Sequence, residues 1–281
     1  MFRHRLGALV CAGIAAQLLA STAQAATFTA TVNPSAPGTT QSPRAHTTAL
    51  SLSKIDPGLD GNAKAAITTL VDSLPADFAA TLSHYSSCSA SVVVHGDNKP
   101  NCPAGSVLGT VSATAYVPAL AFSTMSDHGY IYKIDNNTMR VWVHVSNPIP
   151  AGVVVQGTLS QGVAPFGPVV TWDFTPLANG SQTGSEVRVN RVDFSWEQAG
   201  TASPTPGPSR RCKAASKRSK RKHRRSTHCI KRKRKPTTTT AQYAPFVSSG
   251  CSTGKWPFEA QITFADNTKE TDDTSVGCTP G

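Results

Sequence analysis

The sequence is poor in charged and in aromatic residues for its length. Asp, Glu, Lys and Arg make up 15% of the 281 residues, and Phe, Trp and Tyr make up 7%. Soluble domains are typically about one quarter charged. A hydrophobic content of 39% excludes an integral membrane protein and argues against wholesale disorder. A β-rich fold with an ordinary core is compatible with this length.

Motifs for metal and cofactor chemistry are also missing. The sequence contains no C-x-x-C, H-E-x-x-H or H-x-x-x-H pattern. Gly250–Gly254 matches G-x-S-x-G, but a nucleophile elbow needs a following helix, and an alternating strand pattern follows here. We therefore expect this motif to be a turn, and we predict no catalytic residue, no metal site and no cofactor.

The first 25 residues have the features of a signal peptide. Arg3 and Arg5 precede an apolar stretch, Leu6–Leu19, and Ala23–Ala25 forms an A-x-A cleavage site. The apolar stretch is shorter than the roughly 20 residues that span a bilayer. We expect a mature, exported chain that begins near Ala26 and lacks a membrane span.

The cysteines agree with export to an oxidising compartment. Six remain once Cys11 is removed with the signal peptide, and six cysteines allow fifteen pairings. Their grouping into three local couples favours one pairing. We predict disulfides between Cys88 and Cys102, Cys212 and Cys229, and Cys251 and Cys278.

The formal charge of +11 is concentrated in one segment. Residues 210–235 contain 15 Lys or Arg and no acidic residue, whereas the rest of the mature chain carries a net charge of −6. A Pro-rich stretch precedes this segment, and Pro236 with four threonines follows it. Such flanks bury too little apolar surface to fold. We therefore divide the chain into a signal peptide (1–25), a β-rich domain (26–200), a disordered cationic insertion (201–241) and a C-terminal hairpin that completes the domain (242–281).

The cationic insertion is the clearest candidate for partner binding. Its charges can neutralise anionic cell-wall or surface polymers and release their counterions. No aromatic residue lies between Arg210 and Lys235, so specific nucleic-acid recognition by base stacking is not expected. An inert solvated insertion and a membrane-active peptide are the alternatives. The candidate polyanion-binding residues are Arg210, Arg211, Lys217, Arg218, Lys220, Arg221, Lys222, Arg224, Arg225, Lys231, Arg232, Lys233, Arg234 and Lys235.

Most of the remaining sequence has the period-two alternation of β-strands. Tyr130–Ile134 and Met139–Val145 flank an Asp-Asn-Asn turn, and Trp256–Ala265 is followed by a second turn and Glu270–Val276. Short strands at this frequency predict a mainly antiparallel fold, a β-sandwich of one or two stacked units. Gly61–Leu74 has a helical apolar face, although Ile67–Val71 also fits a strand.

Three stretches carry a resemblance to known proteins: Thr27–Leu52, Cys88–Thr110 with its Cys-Pro-Ala-Gly-Ser motif, and Cys251–Cys278 with its Gly-Lys-Trp and Phe-Ala-Asp-Asn motifs. The chain resembles a group of secreted actinobacterial β-rich proteins that have no assigned function. The resemblance implies a β-rich extracellular domain bracketed by these stretches, with cysteines at both ends of the second and third, and brings no catalytic residues. We expect a non-enzymatic structural or binding protein of the cell surface, and the alternative is a secreted hydrolase whose site is not recognisable from the sequence.

Overall fold

A computed structural model describes residues 25–55, 65–126, 128–146, 150–197 and 243–280. These residues form two antiparallel sheets, which confirms the predicted mainly β fold. The strands are β1 (Thr27–Asn33), β2 (Arg44–Ala45), β3 (Thr47–Ser53), β4 (Ile67–Pro75), β5 (Phe78–Ala80), β6 (Val107–Val117), β7 (Phe122–Met125), β8 (His128–Lys133), β9 (Thr138–Val145), β10 (Ala151–Gln161), β11 (Phe166–Asp173), β12 (Arg188–Trp196), β13 (Phe246–Ser248), β14 (Lys255–Phe264) and β15 (Lys269–Gly277). The helices are α1 (Thr175–Ala178) and the 3-10 turns Leu82–His84, Ala104–Ser106 and Pro118–Leu120. No helix among the described residues is long and apolar enough to cross a membrane.

The larger sheet curls until its two edge strands meet. Its order is β1-β3-β12-β6-β8-β9-β10-β11-β4-β14-β15, with β7 added to β6. At the seam, carboxylates of β15 accept hydrogen bonds from backbone amides in and just before β1: Glu270 from Ala26 at 3.3 Å and Asp272 from Phe28 at 2.7 Å. These bonds cover amides that an open edge would leave unpaired. The second sheet, β2-β13-β5, is small.

Aromatic side chains pack across one half of the interior. Trp172 of β11 stacks on Phe194 of β12, with ring centroids 4.7 Å apart and planes 5° apart. Trp196 lies 6.0 Å from Trp172, and Phe246 meets Trp196 edge to face at 5.1 Å. Because β11 and β12 are distant in the sheet order, these contacts join opposite walls of the curled sheet.

The segment whose sequence fits both a helix and a strand forms a strand. Residues 61–64 lie outside the described residues, and Ile67–Pro75 forms β4 between β11 and β14. Both faces of this central strand are largely buried, so its apolar residues need not alternate. Its run of Ile, Thr, Thr and Val favours a strand because β-branched side chains pack well on a pleated surface.

Two of the three predicted disulfides lie within the described part of the chain, and both are formed. The Cα atoms of Cys88 and Cys102 are 5.3 Å apart, and those of Cys251 and Cys278 are 6.1 Å apart. Both distances are in the usual range for a disulfide. Such bonds are typical of oxidising compartments. The predicted partners Cys212 and Cys229 lie outside the described residues.

One carboxyl group is buried within β4 of the large sheet. Asp72 of β4 is 3% exposed and accepts a hydrogen bond of 2.9 Å from the indole Nε1 of Trp172. Burial raises the pKa of this carboxyl to about 7, and the hydrogen bond from Trp172 opposes the shift only in part. Below about pH 7 the native state therefore favours the protonated form of Asp72.

This shift predicts how Asp72 affects stability at different pH values. A carboxyl with a raised native pKa contributes most below its unfolded pKa of about 4, and the contribution is lost as the pH rises through about 7. The difference in Tm between Asp72→Asn and the wild type should therefore move in favour of the variant from pH 4 to pH 7 and then level off. Thermal unfolding followed by circular dichroism measures this difference. The exposed control Asp273→Asn should show no such trend, and a pH-independent difference for Asp72→Asn would contradict the assignment.

Candidate functional site: an apolar cavity inside the sheet

The interior next to the stacked aromatic rings contains a cavity of about 260 Å³. Its walls come from β6, β9, β10 and β12, and α1 with the segment after it closes one side. Most of the deep lining is aliphatic. The buried lining residues are Val111, Val117, Val141, Val143, Val155, Phe174, Leu177, Val189, Val192 and Phe194.

The cavity exists because inward-facing side chains become smaller along two paired strands. Phe194 lies opposite Val111, the next inward pair is Val192 with Ala113, and Val189 with Ala115 follows. Phe194, stacked on Trp172, fills its level of the interior. The valine and alanine pairs leave space at the next two levels. An irregularity between Val189 and Arg191 lets both valines of β12 line the cavity.

The mouth of the cavity is more exposed and more polar than its floor. His95, Asp97 and Pro150 are exposed there, and Leu120 retains 52% of its accessible surface. Ser126 also lines this region, and its hydroxyl oxygen accepts a hydrogen bond of 2.8 Å from the Ala113 amide. The cavity therefore grades from an apolar floor to a mouth with hydrogen-bonding groups.

The segment 88–102, which carries His95 and Asp97, is fixed to the outer face of the sheet. The Cys88–Cys102 disulfide closes it. Arg140 of β9 donates from Nη1 to the backbone carbonyls of Ala90 at 2.7 Å and Val93 at 2.9 Å. These contacts place the segment across β9 and lead it to the cavity mouth.

Glycine makes the closest approach of this segment possible. The Gly96 amide donates to the Gly152 carbonyl at 3.0 Å, and Trp142 donates from its indole to the Gly96 carbonyl at 3.3 Å. A Cβ on Gly152 would collide with the Gly96 carbonyl. Gly152 thus allows the segment to lie against the beginning of β10.

A glutamine side chain takes the place of a missing strand beside the cavity. β11 pairs with β10 only as far as Gln156, so the start of β10 has one side without a strand partner. The Val154 amide donates to Oε1 of Gln182 at 2.8 Å, and Nε2 of Gln182 donates to the Val154 carbonyl at 2.7 Å. This pair of bonds holds the segment after α1 against the cavity wall.

A histidine–serine pair that resembles part of a catalytic triad lies outside the cavity. Nε2 of His46 is 2.6 Å from the Ser248 hydroxyl, and Nδ1 is 2.8 Å from the Pro34 carbonyl. Burial is the main cause of the lowered pKa of His46. The hydrogen bond to the Pro34 carbonyl raises this pKa in part, and the charge of Arg44 lowers it further. Both His46 and Ser248 are fully buried, and neither lines a cavity described above. A carbonyl also orients the imidazole where a catalytic triad has a carboxylate. The pair ties β13 to the turn after β1.

The G-x-S-x-G motif is a turn, as expected. Cys251 is in a disulfide, and Ser252 donates from its amide and its hydroxyl to Asp77 at 3.1 Å and 3.3 Å. β14 begins at Lys255, so no helix follows the motif. The surroundings of Ser252 therefore lack the strand–turn–helix geometry of a nucleophile elbow.

Two histidines that are far apart in sequence meet on the outer face of the sheet. His128 of β8 lies opposite His144 of β9, and their rings stack with centroids 5.0 Å apart. Within the described ranges, no group of three or more His, Cys, Asp or Glu side chains is arranged to hold a metal ion. This finding does not test the prediction that the protein has no metal site and no cofactor.

The other predicted site residues fall outside the described part of the chain. These are the fourteen candidate polyanion-binding residues between Arg210 and Lys235, and nearly all of the signal peptide. Sequence reasoning did not identify the cavity. The alternation of Val111, Ala113, Ala115 and Val117 within β6 was the available signal, but it does not show which residues of the neighbouring strand lie beside these small residues.

Comparison with families of known proteins, with curated proteins and with solved structures finds no match to this chain. The resemblance to secreted actinobacterial proteins therefore stays a prediction. The function has to be argued from the geometry of the cavity and from the charge pattern of the sequence.

The attachment of segment 88–102 generates a testable prediction. The double variant Cys88→Ser/Cys102→Ser should lower the free energy of unfolding by about 3 kcal/mol, since the disulfide closes a 15-residue loop. It should also alter ligand binding at the mouth, because His95 and Asp97 lie on this segment. Chemical denaturation and titration with the neutral fluorescent probe N-phenyl-1-naphthylamine measure the two effects.

The second disulfide provides a matched control. Cys251→Ser/Cys278→Ser should reduce stability while leaving the affinity of the intact protein for the probe unchanged, since neither cysteine lines the cavity. If both double variants changed probe affinity equally, segment 88–102 would have no special role at the mouth.

Proposed function

We propose that this protein is an extracellular, non-enzymatic binding protein that holds a small apolar molecule inside its curled sheet. The observation that carries the proposal is the 260 Å³ cavity with an aliphatic floor and a hydrogen-bonding mouth. An apolar cavity of about 150 Å³ binds benzene, and pockets for larger ligands are about 300–1,000 Å³. A volume between these values suits a small ring system or a short alkyl chain.

The arrangement of functional groups favours binding over hydrolysis. Among the described lining residues, His95 is the only histidine and Asp97 the only carboxylate, and no hydrogen bond joins them to a serine or threonine hydroxyl. A hydrolase of the serine type needs a nucleophile bonded to a base. The pair that has this geometry, His46 with Ser248, is buried away from the cavity.

The extracellular location is supported by two independent features. The first is the N-terminal sequence, with its basic start, apolar stretch and A-x-A motif. The second is the presence of the Cys88–Cys102 and Cys251–Cys278 disulfides, which are rare in reducing compartments.

Retention on anionic envelope polymers is a second candidate function, and the segregation of charge favours it. Fifteen positive charges lie within 210–235, whereas the rest of the mature chain is net negative. The net negative charge of the rest of the mature chain repels a polyanion. Binding to a polyanion would therefore depend on the cationic segment. In this account the cationic segment holds the protein at the cell surface and the cavity binds the ligand.

Filling the cavity tests the first proposal. Ala113→Leu and Ala115→Leu should each lower the affinity for N-phenyl-1-naphthylamine by about tenfold or more, because displacing two methylene groups of apolar contact costs ~1.6 kcal/mol. The enlarged side chains should preserve or raise the Tm, since they occupy empty space. Fluorescence titration and thermal unfolding give the two values.

Thr114→Leu is the control, since Thr114 lies between the two alanines and is not among the cavity-lining residues. It should leave the affinity unchanged. If the wild-type protein failed to bind any neutral apolar probe, or if filling the cavity left binding intact, the proposed function would be wrong.

The cationic segment is tested with cell walls rather than with small ligands. Removing residues 209–235 should abolish retention of the protein on isolated anionic cell walls, and the retention of the full chain should fall steeply as salt is raised. A chain in which the Lys and Arg of 210–235 are replaced by Gln separates charge from length. Unchanged, salt-resistant retention of either variant would contradict electrostatic tethering.

A further inference from the structure

We propose that the ligand in the cavity has a neutral or positively charged polar end, and that Asp97 selects against a carboxylate at this position. This inference rests on the proposed function, because it concerns the molecule that the cavity holds. The class of ligand is a small amphiphile with an apolar body and a hydroxyl, amine or quaternary ammonium group, in contrast to a fatty acid.

The apolar floor of the cavity determines the orientation of a bound amphiphile. The floor of the cavity is formed by buried valine, leucine and phenylalanine side chains. A polar group placed there would lose its bonds to water without gaining a partner. The polar end of a bound amphiphile therefore lies at the mouth, next to His95, Asp97 and Ser126.

The mouth of the cavity has an acidic side chain. Asp97 is the only Asp, Glu, Lys or Arg among the described residues that line the cavity. The Asp97 side chain is exposed to solvent. A ligand carboxylate would meet this negative charge with no lysine or arginine of the lining to balance it, whereas an ammonium group would be attracted.

Three cationic side chains outside the cavity lining are engaged by other groups. Nζ of Lys99 lies 3.7 Å from the centre of the Tyr130 ring on the outer face. Arg188 donates to Glu186 at 2.8 Å, and Arg140 is bonded to the carbonyls of segment 88–102. None of these three residues lines the cavity.

The mouth also has groups suited to a neutral hydroxyl. The Ser126 oxygen accepts from the Ala113 amide, which leaves its own O–H able to donate to a ligand oxygen. The Asp97 carboxylate can accept from a ligand O–H or N–H, and the His95 imidazole can serve either role. The Gln182 amide, in contrast, is occupied on both sides by Val154.

Three ligands with the same eight-carbon chain test the inference: octanol, octanoate and octyltrimethylammonium. Each is used to displace N-phenyl-1-naphthylamine from the full chain at low ionic strength. We expect octanol and octyltrimethylammonium to bind the wild type more tightly than octanoate. Asp97→Asn should reduce the discrimination between the cation and octanoate by about two- to fivefold, as for a solvent-exposed charge pair.

Asp273→Asn removes an exposed carboxylate far from the mouth and is the matched control. It should leave the ligand order and the ratios unchanged. The inference is overturned if octanoate binds the wild type as tightly as the cation, or if Asp97→Asn and Asp273→Asn have the same effect. Failure of the probe and all three ligands to bind would instead contradict the proposed function, and the inference with it.

Discussion

The uneven filling of the interior is the constraint on which this account depends. A sheet that curls until its edges meet encloses a fixed space, and the inward side chains determine how much of that space remains. At one level Trp172 and Phe194 stack across it and leave no room. At the next levels Val192 lies beside Ala113 and Val189 beside Ala115 on the same wall, and these small side chains leave the space next to them open.

Closure of the sheet makes this difference in side-chain size consequential. An open, twisted sheet could relax around small residues and eliminate a void. Here the carboxylates of Glu270 and Asp272 fasten the β15 edge to the β1 amides, and the stacked aromatic residues hold the opposite walls apart. Segment 88–102 and Gln182 then fix the boundary of the cavity mouth. The cavity is therefore a consequence of the closed sheet and its rigid surroundings.

Much of the architecture follows from local sequence. The hairpin β8–β9 and the hairpin β14–β15 are specified by alternation and by Asp-Asn turns, and two disulfides follow from local cysteine couples. Of the two interpretations open for Gly61–Leu74, the strand at Ile67–Val71 is confirmed and the helix is wrong; β4 is buried on both faces, which removes the alternation that marks a surface strand. A strand and a buried helix segment of this length have similar apolar patterns.

The site was less accessible to sequence reasoning, for a physical reason. A cavity is defined by pairs such as Val192 and Ala113, which are 79 residues apart and meet only when the sheet has formed. The same holds for the buried His46–Ser248 pair, whose members are 202 residues apart. The charge pattern, by contrast, is local in sequence and predicts a candidate polyanion-binding segment directly.

Methyl NMR spectroscopy of the full chain, titrated with a neutral apolar ligand such as octanol, tests whether the interior binds a ligand. The account predicts saturable shifts of the methyl groups of Val111, Ala113, Val141, Val189 and Val192, all of which line the cavity. The methyl group of Val163, which is 85% exposed on the outside, should not respond. Shifts confined to surface methyl groups, or none that saturate, would contradict a ligand-binding interior.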